Sequence, residues 1–359
     1  LVDTVELLTR LTATPGVSGY ESAIRDLVRE LWQPYVDELQ TDLLGSVVAR
    51  RRGSGPAPRR QAMLAAHMDE IGLMVTALDG AFVHVTPIGG IDRRVLPGQE
   101  VVLHPSRPGP DGRGLALPGV IGAVPPHLLA PDARDSAQPI EELRVDFGLP
   151  AEELAKLARP GDIITFARSG GALAGGRFSG RALDNRASLA ALTVCLDALQ
   201  GRQHSWDVLA VATVQEEVTL GGARTSAYRL EPDLAIAVDV TFARGPGVGE
   251  SEGLAIDGGP AVAIGPNFHP RVVQQLREAA GRLELPIQTE PAPTPPGTDA
   301  LAIQISQAGV PCALVSIPLR NMHSPVEVVA VRDVERAGRL LAECLAGLPA
   351  DFMAVQDIV

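Results

Sequence analysis

DVLAVATVQEE, residues 207–217, is a run of small and branched apolar residues that closes on two adjacent glutamates, Glu216 and Glu217. It shows no polar alternation, so both faces should be covered, as in a parallel strand lying between layers of helices. Three other stretches share this texture and also end in a side chain able to bind metal. MLAAH (63–67) ends in His67, with Asp69 two residues on; DLAIAVD (233–239) ends in Asp239; CALVSIPLRNMH (312–323) ends in His323. A further carboxylate, Asp184, directly precedes an amphipathic segment that starts near Arg186. In open α/β sheets, ligands gather outside the carboxyl ends of the strands.

Taken singly, these residues have ordinary explanations. A histidine after a strand is commonly structural, Asp184 could cap a helix, and Glu216-Glu217 could be a solvated loop pair. At one sheet edge they must be read together, because carboxylates do not crowd without a cation to neutralise them. Histidines and carboxylates without cysteine suit Zn²⁺, Co²⁺ or Mn²⁺ rather than a structural thiolate site. A bridging carboxylate can hold two such ions about 3.5–4 Å apart, lowering the pKa of a water and polarising a carbonyl. An unligated carboxylate would then serve as general base. This is chemistry suited to peptide-bond hydrolysis.

Outward from these strands, the spacing predicts helices over 2–11 and 21–32, separated by a turn in which Ser18 could cap the second. Strands are expected over 36–41, 46–51 and 62–66. Between about 72 and 165 short alternating segments (AFVHVTPI, GQEVVLHP, GVIGAV) are punctuated by Pro and Gly, as in a small β unit, with one helix over 151–158. The proline-rich stretch 105–118 suits a loop or hairpin on that unit. Helices then follow over 186–199, 223–228, 271–283, 298–308 and 331–345, with strands over 208–214, 234–240 and 312–317. The expected fold is an α/β/α domain with a mixed sheet, formed by residues 1–71 and 166–359, and split by an inserted β-barrel-like domain over 72–165.

With 359 residues, 45% of them hydrophobic and 21% charged, the chain can bury a substantial core. A net charge of −12 argues against nucleic acid as the main partner. The basic cluster of Arg50, Arg51, Arg52, Arg59 and Arg60 brackets a Gly/Pro-rich turn and reads as a solvated hairpin loop. Cys195, Cys312 and Cys344 lie in apolar runs and read as buried free thiols in a reducing compartment. No secretory signal and no membrane-spanning run is seen, so a cytoplasmic location is expected.

The motifs AHMDEIG (66–72), GRALDNRAS (180–188), QEEV (215–218), AVDV (237–240) and MHSPVE (322–327) resemble, in this order, the tetrahedral (TET) aminopeptidases, metallopeptidase family forty-two. PGVSGYE (15–21), IGAVPPHLL (121–129) and GTDA (297–300) are similar to the family as well. The resemblance implies a zinc-exopeptidase-like catalytic domain and two divalent ions, zinc or cobalt, with manganese as a further option. His67 and Asp239 would hold one ion, Glu217 and His323 the other, and Asp184 would bridge them. Glu216 would be the general base, and Asp69 would orient the His67 imidazole. It also implies peptide substrates and an inserted domain that forms dimers, which assemble into a tetrahedral dodecamer. Three departures flank the site: Thr219-Leu220-Gly221-Gly222 for the common Gly-Leu-Arg-Gly, Asn321 where an aromatic residue is usual, and Pro293–Pro296 in place of part of a glycine run.

Other readings stay open at this point. Glu216 or Asp299 could recognise a free α-amine. A carboxypeptidase or deacylase would need a cation such as Arg244 or Arg320 to grip a carboxylate. An endoglucanase would need only an acid pair, and a non-catalytic scaffold would need no unligated base. His84 and His104 fall in β segments without acidic neighbours, His127 reads as structural or interfacial, and His204 and His269 read as loop residues.

Overall fold

The computed structural model describes residues 2–106, 115–128, 136–250 and 252–353. Helix α1 (Thr4–Ala13) is capped by Asp3, whose Oδ1 accepts from the amides of Val5 and Glu6 at 3.0 and 3.1 Å. Helix α2 (Ser22–Trp32) follows, then strands β1 (Glu38–Thr41), β2 (Val47–Arg51) and β3 (Gln61–His67). The chain next leaves the sheet to build strands β4 (Gly72–Asp79), β5 (Phe82–Ile88), β6 (Glu100–His104), β7 (Leu117–Ile121) and β8 (Val145–Asp146). Helix α3 (Ala151–Leu157) and strand β9 (Ile163–Phe166) complete this excursion. These six strands close into a barrel in the order β4-β5-β8-β7-β6-β9, around a core that includes Leu73, Val85, Leu103, Ile121 and Phe166.

Back in the sheet, strands β10 (Gly171–Leu173) and β11 (Arg177–Gly180) precede helix α4 (Leu183–Ala198) and strand β12 (Asp207–Thr213). A short helix α5 (Glu216–Thr219), helix α6 (Gly221–Leu230), strands β13 (Leu234–Phe242) and β14 (Ala261–Ile264) and helix α7 (Pro270–Arg282) come next. Strand β15 (Gln288–Pro291), helix α8 (Asp299–Gln304), strands β16 (Cys312–Arg320) and β17 (Glu327–Ala330) and helix α9 (Val331–Ala346) finish the fold.

The main sheet runs β1-β2-β12-β3-β13-β16-β17-β11-β10, with β14 and β15 attached beside β16. Its four central strands, β12, β3, β13 and β16, are parallel, and antiparallel strands flank them on both sides. The parallel strands lack polar alternation because each face is covered. Ala62, Leu64 and Ala66 of β3 pack into the large core beneath α1, α4, α7 and α9, while Met63 and Ala65 pack with Ala223, Ala227 and Ile303 on the α6–α8 side. This is the expected mixed α/β/α sheet with a barrel beside it.

Several local expectations shift. Ser18 does not cap α2: its backbone amide donates to Glu70 O at 3.1 Å, next to a parallel bridge between Val17 and Glu70, and the helix begins only at Ser22. The helix expected over 298–308 stops at Gln304, and β10, β11, β14, β15 and β17 were not foreseen. His84 does have an acidic neighbour, Asp79, 3.5 Å away across the β4–β5 hairpin. The basic cluster is spent locally: Arg50 and Arg59 both pair with Asp207, and Arg52 pairs with Glu38. All three cysteines are free and buried. Among the described residues no helix is long and apolar enough to cross a membrane. Residues 107–114 of the proline-rich stretch, and Leu129 of IGAVPPHLL, lie outside the described residues.

Helices α4 and α9 approach closely because position 338 has no side chain. A Cβ at Gly338 would sit 2.5 Å from the carbonyl oxygen of Ala191 and 2.7 Å from Cβ of Val194. A helix gains about 1 kcal/mol when Gly becomes Ala, but overpacking a filled core costs about 1–3 kcal/mol. Gly338→Ala should therefore lose up to about 2 kcal/mol of stability in total. Denaturant melts followed by tryptophan fluorescence check this, since Trp32 and Trp206 both lie in the core of the α/β domain. An unchanged or raised midpoint would show that the helices yield freely.

Candidate active site

The strand ends converge as their apolar runs require. His67 is the last residue of β3, paired in register with Thr213 at the end of β12, and Glu216 and Glu217 open α5 just beyond it. Asp239 lies in β13, and His323 sits in the loop that leaves β16. Asp184 falls in the first turn of α4, where Asp184 and Asn185 depart from helical dihedrals and the peptide between them is cis.

Asp184 is the geometric centre. Its Oδ1 lies 3.1 Å from His67 Nε2 and its Oδ2 lies 3.4 Å from His323 Nε2. Asp239 Oδ1 is 3.8 Å from His67 Nε2, and Glu217 Oε2 is 3.6 Å from His323 Nε2. Donor atoms therefore form two clusters able to hold a cation, His67–Asp184–Asp239 and Asp184–Glu217–His323, which share Asp184. Glu216 belongs to neither, although its Oε2 is 3.8 Å from His67 Nε2. On the far side of the His67 ring, Nδ1 faces Asp69, 3.2 Å from its carbonyl oxygen and 3.5 Å from Oδ1. A proton on Nδ1 donated to Asp69 leaves the Nε2 lone pair for a cation.

A second set of carboxylates holds backbone rather than facing the cluster. The amides of Glu216 and Glu217 donate to Asp69 Oδ1 and Oδ2 at 3.0 and 3.1 Å, and the amide of Gln215 donates to Glu21 Oε1 at 3.1 Å. Three consecutive N–H groups are thus fixed by two acids, and Gln215 adopts a left-handed φ of 57° at the bend. Asp69 does more than orient His67: it also sets where the two glutamates start. Glu327 accepts from the amides of Asp184 and His323 at 3.0 and 2.9 Å. Sequence reasoning passed over Glu21 and Glu327 because each acts on main-chain N–H groups; their only trace is membership of the PGVSGYE and MHSPVE motifs. Deeper still, Glu70 accepts from the Gly16 amide and pairs with Arg181 and with the fully buried Arg186. Burial brings the Arg186 guanidinium down to about 10 despite Glu70.

The electrostatics follow from burial and crowding. Burial, joined by Asp239, Asp299 and Glu217 and opposed by His67, pushes Glu216 up to about 10. Burial and the Asp184 charge lift Glu217 to about 7, and burial with Asp184 raises Asp239 well above the usual carboxylate range. Burial would also raise Asp184, but its bonds to His323 and His67 hold it low. For His67, burial disfavours the charge, yet the surrounding acids overcome it and raise its pKa well above the usual value. Such a set binds protons when no cation is present and would release them to one.

These groups line a cleft of about 600 Å³ together with Val218, Thr219, Leu220, Val240, Thr298 and Met322. Gly90, from the loop after β5 of the barrel, also lines it, and a Cβ there would lie 3.1 Å from His323 Nδ1. Asp299 is buried behind the wall with Oδ2 accepting from the Thr213 hydroxyl at 2.6 Å, and burial lifts it to about 6. Arg244 and Arg320 are not among the lining residues, and their Nε groups donate to the carbonyls of Gly253 and Arg244. His84, His104, His127, His204 and His269 are also absent from the lining. Of the departures, Thr219 lines the cleft and Gly222 abuts the Val214 backbone, where a Cβ would come within 2.4 Å. Asn321 has a left-handed φ of 59° and closes its loop by donating from Nδ2 to Val326 O.

A family model described as M42 glutamyl aminopeptidase matches residues 45–340. A lysyl aminopeptidase of Pyrococcus furiosus is 39% identical over 354 residues, covering 97% of this chain and 98% of that one. Among solved structures, an aminopeptidase of the archaeon Desulfurococcus kamchatkensis is 38% identical with a TM-score of 0.89, over 99% of this chain and 98% of the other. The TET1 peptidase of Pyrococcus horikoshii, described as able to assemble into a tetrahedron or a large octahedral shell, is 29% identical with a TM-score of 0.82, over 96% of this chain and all (100%) of the other. The match extends through both the α/β domain and the barrel, and the chain belongs to the M42 glutamyl aminopeptidase family of peptidases.

Proposed function

We propose that the chain is a dinuclear metal-dependent aminopeptidase that removes single residues from peptide N-termini. The observation that carries this is the sharing of Asp184 by two donor clusters, one oxygen turned to each histidine. His67 and Asp239 would hold one divalent ion, Glu217 and His323 the other, with Asp184 between them. The donor set fits zinc or cobalt, and manganese less closely. Ions bound there supply a water of lowered pKa and a polarised scissile carbonyl.

Glu216 takes the proton of the attacking water and returns it to the leaving amine. Its carboxyl is high while the neighbouring acids are uncompensated. Cations that neutralise those acids bring it back to a range where it can accept a proton. Asp69 fixes the His67 ring and the start of α5, so that Glu216 faces the cleft without joining the ligands. The catalytic unit comprises residues 1–71 and 166–359, and the barrel over 72–165 serves self-association. Phe82, Val120, Val124 and Leu128 are exposed on that barrel, and the P. horikoshii relative is described as able to assemble into a tetrahedron or a large octahedral shell. We assign the chain to the cytoplasm on the strength of its three buried, unpaired thiols.

Outside the acid and histidine cluster, the described lining residues are uncharged: Val218, Leu220, Val240 and Met322, with Thr219 and Thr298. A charged N-terminal side chain would lose water there without gaining a partner. The preferred substrates are therefore uncharged, medium-sized N-terminal residues.

Aminoacyl-p-nitroanilides presented to chelated enzyme, then to enzyme reloaded with Zn²⁺, Co²⁺ or Mn²⁺, test the reaction. Activity should vanish on chelation and return on reloading, with leucyl above glutamyl and lysyl substrates by about tenfold or more in kcat/KM. Anilide hydrolysis that persists undiminished in EDTA would overturn the metal-dependent mechanism. Glu216→Gln should lower kcat by about 10²–10⁴-fold with metal content intact; full activity in a metal-replete variant would remove Glu216 from the mechanism. Light scattering should give a mass near twelve chains, and a monomer would refute the assembly.

A further inference from the structure

Glu327 lies outside both donor clusters, yet it reaches both of them through the backbone. It begins β17, beside Gly180 of β11 in antiparallel register. From there Oε2 accepts from the amide of Asp184 at 3.0 Å and Oε1 from the amide of His323 at 2.9 Å. The side chain is buried, with 2% of its surface exposed. One acid thus ties together two segments far apart in the chain, one carrying the shared carboxylate Asp184 and the other the exposed His323.

The bond to His323 is not needed to shape the loop. Asn321 Nδ2 donates to Val326 O at 3.1 Å, the Ser324 hydroxyl to Asn321 O at 2.6 Å, and the Val326 amide to Ser324 Oγ at 3.3 Å. Those contacts close the turn on itself. They do not fix where the turn sits relative to Asp184: the pairing of β17 with β11 and β16 brings the two segments close, and the Glu327 clamp ties the Asp184 and His323 amides to one carboxylate. The imidazole of His323 is 39% exposed, so packing constrains it far less than it constrains His67.

We propose that Glu327 is a positioning residue that assembles the Asp184–Glu217–His323 half of the site, holding the histidine segment at the bridging carboxylate so that a second divalent ion can bind. This rests on the two-ion reading of the site. A glutamine at 327 keeps the shape but places an NH₂ group against one of the two amides, so one of the two bonds is lost. The His67–Asp184–Asp239 half shares the bond to the Asp184 amide, but its histidine is held independently, by Asp69 and by burial.

The test is Co²⁺ uptake by chelated, full-length protein, followed by metal analysis and by the visible d–d absorption of the bound ion. Wild type should take up two ions. Glu327→Gln should bind the first as wild type does and the second about 10–100-fold more weakly, and raising Co²⁺ by that factor should restore the second ion and its absorption. A folded Glu327→Gln protein, shown by an unchanged circular dichroism spectrum, that binds both ions with wild-type affinity overturns the proposal. If the glutamine variant fails to fold, Glu327→Asp, one methylene shorter and able to span only one amide, is read by the same criteria. Wild type binding fewer than two ions would overturn the two-ion reading itself.

Discussion

The central constraint on this fold is the burial of many carboxylates at one edge of a parallel sheet. Asp69, Asp184, Glu217, Asp239, Asp299 and Glu327 all lie near the carboxyl ends of β3, β12, β13 and β16, largely out of water. Buried acids must be satisfied by hydrogen bonds, by cations or by protons. The structure gives some of them hydrogen bonds and gathers others into clusters able to hold a cation. Asp69 and Glu327 each spend both oxygens on main-chain amides, while Asp184 turns one oxygen to each of two histidines. The acids that hold backbone set positions, while Asp184, Glu217 and Asp239 meet the two histidines in clusters able to hold a cation.

This division explains the unusual backbone around the site. Left-handed φ values at Ala182, Gln215, Asn321 and His323 fall just before or at the functional residues, and each costs about 1–2 kcal/mol for a non-glycine residue. Such conformations persist where surrounding contacts over-determine them. The amide acceptors supply that determination: Glu21 and Asp69 hold 215–217, and Glu327 holds 184 and 323. The strain and the buried acids therefore support one another.

What the sequence made legible follows the same division. His67, Glu216, Glu217, Asp239 and His323 could be placed at a common edge because each closes an apolar run, and runs without polar alternation mark strands covered on both faces. The barrel showed in short alternating segments broken by Pro and Gly. Strands β10, β11, β14, β15 and β17 escaped notice because they are three or four residues long, too short for a periodic signal. Glu21 and Glu327 escaped for another reason. A carboxylate that accepts from main-chain N–H groups has partners of no particular residue type, so nothing in the sequence around it marks the pairing. Asp299, a candidate for amine recognition, proves to lie behind the cleft wall, with Oδ2 accepting from the Thr213 hydroxyl.

The inserted barrel belongs to the same logic, because of where the chain departs. It leaves the sheet within five residues of His67, through Glu70 and Ile71, and Glu70 is locked there by the Gly16 amide and the Arg181 guanidinium. Gly72, the first barrel residue, packs against Val17 with no room for a Cβ, so the barrel is pinned to the PGVSGYE loop as it begins. That loop in turn places Glu21 on the Gln215 amide, next to the proposed base. At the opposite rim, Gly90 comes so near His323 that a methyl group would crowd the ring. The barrel therefore touches the site twice, at the support of Glu216 and at the exposed histidine. Any tilt of the barrel would be felt at both, which gives the barrel a direct physical route to the geometry of the cleft.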